Sequence, residues 1–168
     1  MKLGVLYVDS TRKGNIAMKE TSTTTIHPNV RLVRDYIDAL QRLDKEALAA
    51  HFTDDARWWV PISAEQRGLV ARPVEGGATV VEMLAAIMPR LYGPVATWTI
   101  LNVVADDETG AAEVELDTTV AASGKPYRNT YAFIYRFVDG RIAEVREYTD
   151  TDYAYGVWGE FDKSALGH

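Results

Sequence analysis

Val30, Val33, Ile37 and Leu40 recur at intervals of three and four, the spacing of one helix face. The pattern predicts a helix from an Asn29 N-cap to about Leu43, with Tyr36 beside the apolar stripe. A short second helix is predicted over Lys45 to His51, followed by a strand over Arg57 to Pro61. Residues 62–77 are expected to be irregular, because Gly68, Pro73, Gly76 and Gly77 break any period. Val80, Met83, Leu84, Ile87, Met88 and Leu91 predict a third helix over Thr79 to Leu91. Pro89 works against its last turn.

After Gly93-Pro94 the pattern shortens to that of strands, predicted over residues 95–105 and 111–122 with polar turns at 106–110 and 123–126. The stretch Tyr127 to Asp150 reads as a long hairpin around an Asp139-Gly140 turn. Tyr127, Tyr131, Phe133, Tyr135 and Phe137 all occupy odd positions and so share one strand face. Such a row serves as core, as dimer interface or as ligand wall. Three helices followed by an antiparallel meander make an α+β fold, with the helices covering one face of a curved sheet.

A length of 168 residues suits one domain with a full core, and 47% apolar with 25% charged residues is globular composition. The net charge of -6 and the lack of a basic stripe argue against a nucleic-acid partner. Zero cysteines exclude disulfides, thiol catalysis and cysteine metal sites, and fit a cytoplasmic setting. The apolar run Leu3 to Val8 is too short for a secretory core or a membrane span. Residues 1–28 are expected to form a flexible tail, with Leu3 to Val8 as an added edge strand the alternative. The domain is expected over 29–155, with a C-terminal tail over 156–168.

Three segments, taken in order, support a resemblance: VRDYIDAL on the first helix, ALAAHFTDDARWWVP leading into the first strand, and GRIAEVREYTD on the last. Together they resemble the nuclear-transport-factor-two-like superfamily, and within it the SnoaL-like group related to polyketide cyclases, ketosteroid isomerases and limonene-epoxide hydrolases. The resemblance covers about residues 29–155. It implies a cone-shaped sheet wrapped around helices, a central pocket and frequent homodimers.

The resemblance also sorts the candidate chemistries. Tyr36 matches the isomerase tyrosine, but the isomerase base position falls at Val60 and its second oxyanion donor near Phe133. Histidine-dependent dehydratases find only His27, His51 and His168, in tails or at a helix end. Asp150 and Asp117 match the epoxide-hydrolase acid pair, while Glu115 holds the bridging-arginine position and Arg57 and Trp59 replace its tyrosine and asparagine. SnoaL-type cyclases place an aspartate on the last strand and need no metal or cofactor, and Asp150 fits that role.

The expectation is therefore a cofactor-independent acid/base enzyme acting on a small, largely apolar substrate. Asp150 is the acid/base, Asp117 the second carboxylate and Tyr36 a hydrogen-bond donor. Trp58, Trp59, Trp98, Glu115, Tyr131, Arg146 and Tyr148 are the candidate substrate contacts. Two orientations stay open for Glu113, Glu115 and Asp117, which alternate with Val114 and Leu116: outward into water, or inward where crowding would raise one carboxyl pKa. Arg146 shares the face of Asp150 in an unbulged strand. No HxH or HExxH spacing supports a metal. Homodimerisation through the outer sheet face is predicted from the aromatic row. A non-catalytic binding or assembly domain is the alternative.

Overall fold

A computed structural model describes residues 26–93 and 95–159. The tail and edge-strand readings of residues 1–25, and everything from residue 160 to His168, lie outside the described residues. The chain order is α1 (Pro28–Gln41), α2 (Lys45–His51), β1 (Phe52–Trp59), α3 (Ile62–Gln66), β2 (Val74–Glu75) and α4 (Gly77–Glu82). A π-helical turn (Met83–Ile87) then leads into α5 (Met88–Leu91). Four long strands and a closing helix follow: β3 (Thr97–Ala105), β4 (Thr109–Thr119), β5 (Pro126–Val138), β6 (Arg141–Thr149) and α6 (Thr151–Trp158). The strands form one open six-stranded sheet in the order β2-β1-β6-β5-β4-β3. Only β1 and β6 run parallel; the other neighbours are antiparallel.

Helix α1 starts two residues before the predicted place. His27 is the N-cap, its ring nitrogen accepting from the Asn29 amide at 3.2 Å, and Pro28 takes the first helical position. Asn29 is buried instead, and its side-chain amide donates to the carbonyls of Asp106 and Asp107. It thereby ties the helix to the β3–β4 turn. The inward stripe is Val33, Tyr36, Ile37 and Leu40. Helix α2 has the predicted bounds, with Asp44 accepting from Ala47 N–H at 3.0 Å as its cap.

Strand β1 begins at Phe52, five residues earlier than the pattern indicated, because Asp54 and Asp55 interrupt the apolar alternation while the backbone stays extended. The region 62–77 contains the short helix α3 and the two-residue strand β2. The third predicted helix is a continuous rod from Gly77 to Leu91 that widens at its middle. Met88 N–H reaches back five residues to Met83 C=O, so the chain enters Pro89 without a regular α turn beneath it.

Strands β4 and β5 alternate strictly. On β4 the even residues from Ala112 to Val120 are buried, while Glu113 and Asp117 are exposed. On β5 the odd residues from Tyr127 to Phe137 are buried. The aromatic row therefore faces the helices and packs into the core, so it supplies no outer-face dimer surface. The hairpin turn matches its sequence: Asp139 and Gly140 both have positive φ, 50° and 70°.

Strand β6 breaks the alternation. Phe137 pairs with Ile142, but Arg136 pairs with Glu144, so Ala143 is an extra residue in a β-bulge. Ile142 and Ala143 are both buried, and from there the odd positions Val145, Glu147 and Thr149 turn inward. Helix α6 continues to Trp158, three residues past the expected domain end. Among the described residues no helix is long and apolar enough to cross a membrane.

Candidate functional site

The inner face of the sheet and the helices enclose a cavity of about 90 Å³. Its walls come from every layer: Tyr36 and Leu40 on α1, Trp58 on β1, Met83 and Leu84 in the helical rod, Tyr131 and Phe133 on β5, and Tyr155 and Trp158 on α6. The lining is overwhelmingly apolar and aromatic, the usual character of a small-molecule site. Val60 and Phe133, the two positions where apolar residues replace isomerase groups, are both in the wall.

Among the described residues Glu147 is the one carboxylate in that lining. The bulge at Ala143 sets it on the inner face, opposite Phe133 in the β5–β6 ladder. Trp58 Nε1 donates to Glu147 Oε2 at 2.8 Å. The residue keeps part of its surface open, yet its carboxyl is enclosed by protein. Burial raises its pKa from an ordinary 4.5 to about 7, against the opposing pull of the Trp58 hydrogen bond. A carboxyl poised near neutrality can both accept and return a proton.

Tyr36 is fully buried, and its hydroxyl has no partner among the described residues. Burial first, then the nearby Tyr135 and Glu147, hold its pKa well above the usual tyrosine value, so it stays a neutral donor. Tyr131 also lines the cavity, as does Trp58. Trp98 lies on the inner side and packs on Tyr131, ring centroids 5.7 Å apart, but is not part of the cavity wall.

The remaining candidates are placed elsewhere. Asp150 is exposed and is the N-cap of α6, accepting from Tyr153 N–H at 2.9 Å. Asp117 is exposed on the outer sheet face. Glu115, on that same face, is ion-paired with Arg128 at 2.9 Å. The two aspartates do not converge in the cavity, and of the two open orientations the outward one holds for Glu113, Glu115 and Asp117. Trp59 also points outward, with the guanidinium of Arg146 over its ring at 4.9 Å, and Arg146 pairs with Glu144. Tyr148 is exposed on the outer face. His51 is half-buried at the end of α2, away from the cavity wall, and burial lowers its pKa. Among the described residues no group of three His, Asp or Glu side chains is arranged to hold a metal.

A family described as SnoaL-like domain matches residues 33–145. Curated protein sequences give no significant match. Solved structures match the fold throughout the domain. An NTF2-like protein of unknown function from Burkholderia pseudomallei K96243 superposes with a TM-score of 0.68 at 18% identity, covering 79% of this chain and 98% of its own. TerC co-crystallised with polyporic acid gives 0.69 at 16% identity, covering 79% and 98%. An LEH-like epoxide hydrolase from M. tuberculosis gives 0.58 at 19% identity, covering 83% and 89%.

Proposed function

The chain belongs to the SnoaL-like domain family, and we propose that it is an enzyme in which Glu147 moves a proton on a small, largely apolar substrate. The observation that carries this reading is the placement of one carboxyl, with a pKa near 7, in a largely apolar cavity. The fold alone assigns no reaction, because relatives of the same shape bear names as different as epoxide hydrolase and ketosteroid isomerase.

With a pKa raised to about 7, Glu147 can hold or release its proton near neutral pH, which suits a group that takes a proton from carbon and gives it back. Trp58 fixes one carboxyl oxygen and leaves the other for substrate. Apolar walls exclude water and strengthen each remaining polar contact. The Tyr36 hydroxyl, in the wall and without a partner among the described residues, adds a donor for substrate oxygen. A single carboxylate favours one-site proton transfer, as in isomerisation or aldol-type ring closure, over two-acid epoxide hydration. As to assembly, Val104, Ile134, Val138 and Tyr148 are exposed on the outer sheet face and support a homodimer.

The test is a panel of apolar ketones, β-keto esters and epoxides assayed with wild type and Glu147→Gln. Turnover of a panel member that Glu147→Gln abolishes supports the reading. Turnover that survives Glu147→Gln unchanged overturns it.

A further inference from the structure

Benzene occupies an apolar protein cavity of about 150 Å³, and sites for small organic ligands run to roughly 300–1,000 Å³. The cavity of this protein holds about 90 Å³. A substrate with a ring and a carbonyl therefore does not fit until part of the wall moves aside. Most of the wall cannot yield. Tyr36 and Leu40 on α1, Leu84 in the helical rod, and Trp58 and Phe133 on paired strands all belong to the buried core.

Residues 61–72 are different. They follow β1 and return to its edge as β2, where Val74 pairs with Trp58. Arg72 Nε donates to the Val60 carbonyl at 2.9 Å and closes the base of this loop. Between the two ends lies α3, which has no buried residue, and Glu65 to Gly68 are exposed. Pro61, Ala64, Leu69 and Val70 nonetheless line the cavity. A loop whose ends meet and whose middle covers a cavity has the form of a lid.

The facing part of the cover is α6. Its start is tied to β5: Asn129 Nδ2 donates to the Asp150 carbonyl at 3.0 Å, and Arg128 N–H donates to the Tyr153 hydroxyl at 3.2 Å. Further along, Tyr155 lines the cavity and meets the loop. Its hydroxyl donates to Ser63 Oγ at 3.2 Å, and the Arg67 guanidinium lies over its ring, 3.9 Å from the centroid. Ser63 and Arg67 sit near opposite ends of α3, so the loop holds the ring at two points.

We propose that residues 61–72 form a lid over the cavity, latched to α6 through Tyr155, and that substrate enters when Ser63 and Arg67 release that ring. This entry route rests on the cavity being the ligand site of the proposed activity, not on Glu147 being its base. Release breaks one hydrogen bond between hydroxyls and one cation–π contact at the surface, both modest ties. Only the half-buried Ala64, Leu69 and Val70 leave apolar surroundings with them. The sheet, α1 and the rod keep their packing, so the site enlarges without loss of the core.

The latch is tested with Tyr155→Phe/Arg67→Ala, which keeps an aromatic ring on the cavity and removes both ties. Naphthalene is larger than benzene and exceeds the closed cavity. Its association is followed by stopped-flow quenching of tryptophan fluorescence. Opening is read without a ligand by thiol labelling, because the chain has no cysteine of its own. Leu84→Cys puts a thiol in the cavity wall, and Val114→Cys puts one in the core away from it. The double variant is expected to raise the naphthalene association rate and the labelling rate at Leu84→Cys about five- to fiftyfold each, the range of the two lost ties. Labelling at Val114→Cys should stay within about twofold, which shows that the fold has not opened as a whole. Either rate unchanged overturns the latch, as does labelling at Val114→Cys that rises along with that at Leu84→Cys. Naphthalene that binds neither protein overturns the entry route as well. Glu147→Gln should load naphthalene at the wild-type rate whatever becomes of its turnover, so a wrong base and a wrong entry route give different results.

Discussion

Trp58 and Glu147 are hydrogen-bonded across the one parallel strand pair of the sheet, Nε1 to Oε2 at 2.8 Å. Among the described residues the bond joins the largest fully buried side chain to the one carboxylate of the cavity lining. It opposes the burial that drives the Glu147 pKa up, and the balance of the two leaves that group near neutrality.

That balance gives the first prediction. If Glu147 acts as base, kcat/KM for proton abstraction should rise with pH through one ionisation at about 7 and then level. Glu147→Gln should cost about a hundred- to ten-thousand-fold in turnover. A rate profile on a substrate found in the ketone panel measures both. A flat profile between pH 5 and 9 would count against the assignment.

Stability should respond to the same group. Its folded pKa is about 7 and its ordinary value 4.5, so between those pH values the folded state holds a proton that the unfolded state has lost. Stability from this group is therefore full below about pH 4.5 and falls as pH rises to about 7. The loss approaches roughly 3 kcal/mol, an upper figure because water in the cavity screens the charge. Glu147→Gln should thus raise stability at pH 8 and change it little at pH 4.5. Urea unfolding at the two pH values tests the sign.

The same bulge that positions Glu147 explains what the sequence concealed. Counting from the Asp139-Gly140 turn in steps of two puts Glu144, Arg146, Tyr148 and Asp150 on one face with Ile142. Ala143 adds a residue, and every later side chain changes face, so Glu147 enters the cavity and those four leave it. Nothing in the apolar pattern marks Ala143 as a bulge. Trp58 and Trp59 pose a similar choice, since neighbours on a strand face opposite ways and either indole suits either side; Trp58 is the inner one. Where the alternation is unbroken the sequence suffices, as in the odd-numbered aromatic row of β5 and the outward acids of β4. Tyr127 and Tyr131 of the cavity wall belong to that row. Tyr92, past the end of the helical rod, carries no periodic signal.

Asp150 provides the sharpest contrast with Glu147. Its carboxyl caps α6, and asparagine caps a helix about as well as aspartate. Asp150→Asn should therefore keep turnover within about twofold and stability within a few tenths of a kcal/mol. Asp150→Ala should cost about 1 kcal/mol by removing the cap. Asp117→Asn, on the exposed outer face, should alter neither. Thermal unfolding and steady-state rates on the three variants separate a capping role from a catalytic one.

Trp58→Phe isolates the Trp58–Glu147 hydrogen bond. Phenylalanine keeps an aromatic ring against Phe133, whose centroid lies 5.6 Å from that of Trp58, but offers no N–H. The donor that lowers the Glu147 pKa is then gone while the burial remains. The apparent pKa should move upward from about 7, and a larger share of the enzyme should hold a neutral carboxyl at pH 7. The rising limb of kcat/KM shifts to higher pH in consequence, with a lower rate at pH 7 and partial recovery at pH 9. Carbon NMR of labelled glutamate gives the same pKa without a substrate. A shift to lower pH would mean that the smaller ring had let water in to solvate the carboxylate, so that lost burial outweighs the lost donor. The direction of the shift thus decides whether the indole acts on Glu147 through its N–H or through the water it keeps out.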